Sequence, residues 1–173
     1  MRKKIALTST VLLFGGAFVL LAHMSGRVTG GPNVINSDGT LVTSGFELHC
    51  QPDSANASFT PVFLPNNLEV NWAGNHWHMT QLRWAICSSD GASPAPPPNT
   101  AAGPDIITLA GLGRCNGVDG VFGTFTFVDH GEPGVGVDLA SYEINSFDAC
   151  PGLDTGSLRL ITDGNIQFHL ENP

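Results

Sequence analysis

Short runs in which apolar and polar residues alternate fill residues 25–173, and this pattern limits the possible folds most. In one run Phe46 and Leu48 share a face, while Glu47 and His49 lie on the other. No stretch of this part of the chain repeats apolar residues at helical spacing, and Gly, Pro, Asn and Asp separate the runs. About eight such runs predict an all-β protein, an antiparallel β-sandwich or jelly roll.

The Asp163-Gly164 pair near the end of the chain is the strongest short hairpin signal in the sequence. It predicts that the strands on its two sides pair with each other. In the second of these strands we expect Ile166 to face the core and His169 to face outward, because side chains alternate along a strand.

Residues 1–24 have the composition of an export segment. Three basic residues at positions 2–4 precede an apolar run at 5–22, which is the layout of a secretory signal peptide. The residues after this run match the small-residue cleavage pattern poorly, so an uncleaved signal anchor is the alternative. Both interpretations place residues 25–173 outside the cytoplasm, and we expect them to form a single domain.

The charge of the chain excludes two classes of partner. Three of the seven Lys and Arg residues lie at positions 2–4, so residues 25–173 keep four positive side chains against fifteen carboxylates, a net charge of −11. Nucleic acids and anionic membrane surfaces require clustered Lys and Arg, and this sequence has no such cluster. We therefore expect no nucleic-acid partner, and contact with a membrane only if the export segment is uncleaved.

Four cysteines, Cys50, Cys87, Cys115 and Cys150, are spread along residues 25–173. Their number is even and none belongs to a closely spaced pair of the kind that zinc knuckles and thioredoxin-like motifs need. They predict two structural disulfides, each worth about 2–4 kcal/mol of stability. Spacing alone leaves three connectivities open.

A series of short phrases is ordered along the chain: VTGG at 28–31, GFELHC at 45–50, NLEVNW at 67–72, HMT at 78–80, GLGR at 111–114, NG at 116–117, DHGEPG at 129–134 and GNIQFH at 164–169. Together they resemble the post-COAP-1 domain, a bacterial extracytoplasmic module. The resemblance implies a secreted β-domain, often attached to other extracellular regions, with no established activity. It also implies the disulfides Cys50–Cys87 and Cys115–Cys150, because the first two cysteines occur together in related sequences.

The densest polar segment contains Asp129, Glu132 and Asp138. Calcium takes six to eight oxygen ligands, and a Gly-rich acidic loop can wrap around such an ion. These three carboxylates are therefore our candidate calcium ligands. The alternative is a tight turn set by Pro133-Gly134, with the acidic side chains simply solvated.

The histidines are the second group of candidate metal ligands. His76 and His78 lie two residues apart, so on a strand both would point to one face and could share a zinc or copper ion. His49 and His169 lie on predicted outward faces of other strands. The alternative is that all four are ordinary half-exposed strand residues that make hydrogen bonds.

The tryptophans bear on ligand binding, since an exposed aromatic ring on a sheet can stack against a sugar. Trp72 shares the apolar face of its strand, whereas Trp77 and Trp84 lie on opposite faces of another strand, so at most one of these two is exposed. Core packing is the default expectation for all three, and Trp77, beside the two histidines, is the best candidate for an exposed ring. The predicted binding residues are Trp77, His78, His49 and His169.

Motifs for catalysis are absent from the sequence. It contains no GxSxG elbow, no HExxH helix motif and no paired Cys and His of a nucleophilic site. Glu47 and Glu69 could form a glycosidase-type pair if their strands were neighbours, but a solvated sheet face explains them equally.

We therefore predict an extracellular or cell-envelope domain without catalysis, which acts in binding, adhesion or envelope structure. Its expected partners are a glycan, an envelope polymer or another surface protein. The alternative function is that of a calcium- or zinc-dependent extracellular domain, for which hydrolysis is a candidate activity.

Overall fold

The computed structural model describes residues 26–50, 66–89, 104–148 and 150–170. This part of the chain forms eleven strands: β1 (Gly26–Gly30), β2 (Asn33–Ile35), β3 (Leu41–Cys50), β4 (Asn67–Trp72), β5 (Asn75–Ser88), β6 (Ile106–Cys115), β7 (Val118–Val128), β8 (Leu139–Ile144), β9 (Leu153–Asp154), β10 (Arg159–Leu160) and β11 (Ile166–Leu170). A helix long and apolar enough to cross a membrane does not occur among these residues. The predicted export segment and the boundary at residue 24 lie outside them.

All strand pairs in this sheet are antiparallel, and the strands follow the order β10-β8-β7-β6-β5-β4-β3-β1-β11. β2 adds to β3, and β9 adds to β8. Strands β3 to β8 are neighbours both in sequence and in the sheet. This up-and-down connectivity confirms the predicted all-β antiparallel class.

The sheet bends so that its two halves face each other across one core. Phe46 of β3 packs against Phe127 of β7, with ring centroids 4.1 Å apart. The Tyr142 hydroxyl of β8 lies 2.8 Å from the Ser44 hydroxyl of β3. Because strands that are distant in the sheet order meet in this way, the domain is sandwich-like.

The predicted two-residue periodicity determines which side chains enter the core. Leu68, Val70 and Trp72 of β4 are buried, and the residues between them, Glu69 and Asn71, are exposed. The same alternation holds along β7, where Val121, Phe125 and Phe127 are buried. The buried and exposed faces of these strands therefore follow the alternation of apolar and polar residues in the sequence.

The predicted C-terminal hairpin is wrong. β10 pairs with β8, and β11 pairs with β1 at the other end of the strand order. Between these two strands, the Asn33 N–H donates to the Asp163 carbonyl at 2.9 Å and the Thr162 N–H donates to the Asn33 carbonyl at 2.8 Å. Gly164 has a φ of +86° and lies directly against the Gly31 backbone.

The predicted hairpin does not form because it would leave two edges of the sheet without hydrogen-bond partners. If residues on the two sides of Asp163-Gly164 paired with each other, the outer edges of β8 and β1 would keep unpaired N–H and C=O groups. The observed path gives both edges a partner from one chain segment, so this segment closes the sheet.

The two disulfides join Cys50 to Cys87 and Cys115 to Cys150, which is the pairing that the resemblance implies. The first links β3 to β5 across β4, and the second links the end of β6 to the segment after β8. All four cysteines are buried. Disulfides in a domain of this size fit an oxidising compartment, either extracellular or periplasmic.

Trp77 is fully buried, so its predicted exposure is wrong. Its ring occupies the space above Gly113 of β6, where a Cβ atom would lie 2.2 Å from the ring. The indole N–H donates to the Val121 carbonyl at 3.1 Å, and the ring packs on Phe125 with centroids 5.0 Å apart. Because Gly113 has no side chain, the ring of Trp77 can pack into the core against the neighbouring strand.

We expect Gly113→Ala to lower the free energy of unfolding by about 3 kcal/mol, because the new methyl group overlaps the ring of Trp77. Denaturant unfolding of the oxidised protein, followed by tryptophan fluorescence, measures the change. Gly45→Ala on β3 is the matched control, since nothing lies within 4 Å of its Cβ position. Equal stability of the two variants would contradict the role of Gly113.

Candidate functional site

The loop between β7 and β8 carries the predicted calcium ligands Asp129, Glu132 and Asp138. Asp138 has no exposed surface. Its Oδ1 accepts the His130 N–H at 2.9 Å, and its Oδ2 accepts the Ile166 N–H at 3.0 Å. One buried carboxylate thus binds both its own loop and β11.

The other two acids of the loop also bind residues in or next to β11. Asp129 accepts the Gly131 N–H at 2.9 Å and the Phe168 N–H at 3.1 Å. Glu132 Oε1 accepts the side-chain amides of Asn165 at 2.9 Å and Gln167 at 2.7 Å. We call Asp129, Glu132 and Asp138 the carboxylate clamp, because all three fasten the loop to β11.

The loop contains the turn that the sequence predicts at Pro133-Gly134, in which the Gly134 N–H donates to the Gly131 carbonyl at 3.0 Å. Its acids are not all solvated, however, because the side chain of Asp138 is buried. The three carboxylates accept N–H groups, and across residues 26–50, 66–89, 104–148 and 150–170 no three His, Cys, Asp or Glu side chains are arranged to hold a metal ion. Calcium binding by this loop stays a prediction.

The pKa values of the clamp differ in direction. Burial raises the pKa of Asp138. The hydrogen bonds from the His130 and Ile166 N–H groups lower this pKa, and the negative charges of Asp129 and Glu132 raise it. Hydrogen bonds from Gln167 and Asn165 lower the pKa of Glu132. Glu132 therefore contributes stability above its ordinary pKa, and this contribution is lost as the pH falls through the lowered value.

His76 and His78 lie on one face of β5, as predicted, and the carboxylate of Glu69 on β4 lies beside both. His78 Nδ1 is 3.3 Å from one Glu69 oxygen, and His76 Nε2 is 4.0 Å from the other. All three side chains are about half exposed. This arrangement forms ion pairs when the histidines are protonated, and such exposed pairs contribute little to stability.

The other two histidines lie elsewhere on the outer surface. His169 on β11 has its Nε2 3.1 Å from the Thr29 hydroxyl of β1. His49 shares the outward face of β3 with Glu47, whose carboxylate lies 3.8 Å from its Nε2, but it is only 7% exposed. The reason is its surroundings at the end of β3, where Arg27 lies opposite it on β1 and the Asn66 side chain accepts its backbone N–H at 2.6 Å. The predicted binding set of Trp77, His78, His49 and His169 therefore does not form one site.

Glu47 and Glu69 lie on the neighbouring strands β3 and β4, but they do not face each other. Glu47 lies opposite Asn67, and Glu69 lies opposite Gly45. Glu47 accepts a hydrogen bond from Arg27 at 3.1 Å. The two carboxylates are therefore diagonal neighbours with different partners, which does not favour the glycosidase-type pair.

Another part of the outer surface, on β5 to β9, carries a group of side chains that sequence analysis missed. Trp84 lies opposite Ala110, which lies opposite Thr124, which lies opposite Glu143, so these four side chains form one row across the strands. Trp84 is partly exposed. It is therefore Trp84, and not Trp77, that presents an indole ring to solvent.

An open cleft of about 250 Å³ adjoins this row. Its polar lining consists mainly of hydroxyl and carboxylate groups, from Thr108, Thr124, Thr126, Ser141, Glu143 and Asp154. Thr108 and Thr126 hydroxyls lie 3.3 Å apart, and the Thr124 hydroxyl donates to Glu143 at 3.1 Å. We call this group, together with Trp84, the hydroxyl cleft. The alternating threonines at 124 and 126 were its only signal in the sequence.

Comparison of the chain with protein-family models, with curated proteins and with solved structures finds no match.

We expect Asp138→Ala to lower the free energy of unfolding by about 3 kcal/mol, because the buried Ile166 N–H and the partly buried His130 N–H lose their acceptor. Denaturant unfolding measures this loss, and amide hydrogen exchange at Ile166 locates it. Asp138→Asn, which keeps one acceptor oxygen, should lose less.

Asp119→Ala is the control for this experiment, since the ion pair of Asp119 with Arg114 is exposed to solvent and should contribute little to stability. If Asp138→Ala were no more destabilised than Asp119→Ala, the carboxylate clamp would not hold β11.

Proposed function

We propose that this protein is an exported, non-catalytic domain that binds a neutral glycan or a hydroxyl-rich envelope polymer in the hydroxyl cleft. The observation that carries the proposal is the row that joins the partly exposed Trp84 to Thr124 and Glu143 beside an open cleft. A flat aromatic ring offers an apolar surface for the face of a sugar ring. Hydroxyl and carboxylate oxygens next to it can accept hydrogen bonds from sugar hydroxyls.

The dimensions of the row suit an extended ligand. Trp84 and Thr124 are separated by one strand, so their backbones lie about 10 Å apart. Ala110 fills the position between them and is fully buried although it faces outward. A polymer that stacks on the indole can therefore continue over this small residue to the carboxylates of Glu143 and Asp154.

Electrostatics favours a neutral ligand. Residues 25–173 carry four positive side chains and fifteen carboxylates, and the cleft itself contains two carboxylates and no lysine or arginine among its lining residues. An anionic polysaccharide would bring like charges together at this site, which costs affinity. We therefore expect neutral glycans to bind in preference to acidic ones.

A second candidate function, glycoside hydrolysis, rests on one observation in the same cleft. Glu143 of β8 and Asp154 of β9 lie directly opposite each other, and a pair of carboxylates is the usual catalytic equipment of glycosidases. Both side chains are exposed, however, and Glu143 already accepts a hydrogen bond from the Thr124 hydroxyl. A buried acid that stays protonated at neutral pH, as this chemistry needs, is missing from the lining of the cleft, so we favour binding.

The two disulfides support the extracellular or periplasmic part of the proposal. Cleavage of the export segment and membership of the post-COAP-1 family belong to the proposal as well. A domain of that kind, attached to a surface polymer through the hydroxyl cleft, would act in adhesion or envelope structure.

We expect Trp84→Ala to weaken binding to an insoluble neutral polysaccharide, such as chitin or a β-glucan, by at least about tenfold, because the stacking surface is lost. Depletion of the protein from solution by the washed polysaccharide measures the dissociation constant, and acidic polygalacturonate is the charge control. Release of new reducing ends from the same samples tests hydrolysis.

His78→Ala is the matched variant, because it changes the same face of the same strand far from the cleft. Equal binding by the wild-type protein and the Trp84→Ala variant would contradict the proposed site. Failure of the wild-type protein to bind any neutral polysaccharide would contradict the proposed ligand class.

A further inference from the structure

The outer surface of β1 and β11 brings together a hydroxyl, an imidazole and a carboxamide. Thr29 of β1 lies opposite Gln167 of β11, so the two side chains are neighbours on one face. His169 lies two residues beyond Gln167 on the same face, and its Nε2 is 3.1 Å from the Thr29 hydroxyl oxygen. The Gln167 amide nitrogen donates to Glu132 at 2.7 Å.

We propose that Thr29 and Gln167 form an intramolecular ester bond that joins β1 to β11 covalently. A base, the imidazole of His169, contacts the Thr29 hydroxyl, and the Glu132 carboxylate accepts a hydrogen bond from the Gln167 amide. The proposed bond is independent of ligand binding at the hydroxyl cleft, which lies on other strands.

The reach of the two side chains fits such a bond. Directly opposed residues of an antiparallel pair have Cβ atoms about 4.5–5.5 Å apart. The bonded path from Thr29 Cβ through Oγ1 to Gln167 Cδ, Cγ and Cβ contains four single bonds, which span about this distance. The bond therefore forms without any change in the register of β1 and β11.

The reaction is an acyl transfer that needs no other reactant. With the proton of its neutral imidazole on Nδ1, His169 accepts the Thr29 hydroxyl proton at Nε2 while Oγ1 attacks Gln167 Cδ. The tetrahedral intermediate collapses by breaking the Cδ–Nε2 bond, and His169 returns the proton to the departing nitrogen. The products are the ester and one molecule of ammonia.

Glu132 and the rest of the carboxylate clamp position the reacting groups. Glu132 Oε1 accepts both the Gln167 and the Asn165 side-chain amides, which fixes the orientation of the Gln167 carboxamide. Asp129 and Asp138 bind the backbone of Phe168 and Ile166 on either side of Gln167. Holding the groups in place in this way removes much of the entropic cost of a reaction between two side chains.

Mass spectrometry of the full chain, expressed in a host that exports it, tests the proposal. The arginines at 27, 83, 114 and 159 are the only tryptic sites in residues 25–173, so Thr29 lies in peptide 28–83 and Gln167 in peptide 160–173. After reduction of the disulfides, we expect these two peptides to remain joined, with a combined mass lower than their sum by one ammonia. Hydroxylamine, which cleaves esters, should separate them.

Four variants distinguish the ester from other links. Thr29→Val keeps the shape of the side chain without the hydroxyl, and Gln167→Glu keeps its shape without the amide, so both should lose the joined peptide. His169→Ala should slow its formation, whereas Thr29→Ser should retain it. Free peptide 160–173 in the folded wild-type protein, or a joined peptide in Thr29→Val, would overturn the proposal.

Discussion

The closure of the sheet by its last segment is the constraint on which the rest of the structure depends. One stretch of chain pairs with β8 through β10 and with β1 through β11, so both edges of the sheet obtain partners. The buried carboxylate of Asp138 holds this stretch, because it accepts the Ile166 N–H at the start of β11. A carboxylate in the interior requires such donors, because a buried polar group without a hydrogen bond costs free energy.

Closure also determines how the outer surface divides. On β11, β1, β3, β4 and the start of β5, the outward side chains include histidines and acids with polar partners, such as Glu47 with Arg27 and His169 with Thr29. On β6, β7 and β8, the outward positions combine apolar residues with threonines, a serine and Glu143, and Trp84 lies at the margin. Only the second surface sets hydroxyl groups and a partly exposed indole beside the open cleft, and for this reason we propose that the ligand binds there.

The disulfides and the aromatic core stabilise the two halves of the sheet separately. Cys50–Cys87 spans β3 to β5, whereas Cys115–Cys150 fastens the segment after β8 to β6. Phe46, Phe127 and Tyr142 then join the halves through the core. A domain fixed in this way is suited to an environment without chaperones and with proteases, where the population of opened states determines survival.

Much of this architecture could be predicted from local periodicity. Alternation identified the faces of β4 and β7, and the number and spacing of the cysteines indicated two disulfides. The candidate site could not be predicted in the same way. Periodicity placed Trp77 and Trp84 on opposite faces of β5, but the choice between them depended on Gly113 of another strand.

The sequence by itself determined the class of the fold, because side-chain alternation and turn residues act over a few neighbouring positions. It also determined the acidity of the domain and the redox chemistry of its cysteines. Only the tertiary structure decided the partners of Asp138, the burial of His49, the course of the chain at Asp163-Gly164, and the meeting of Thr29, Gln167 and His169. Each of these depends on the pairing of strands far apart in the chain, and local patterns do not encode that pairing.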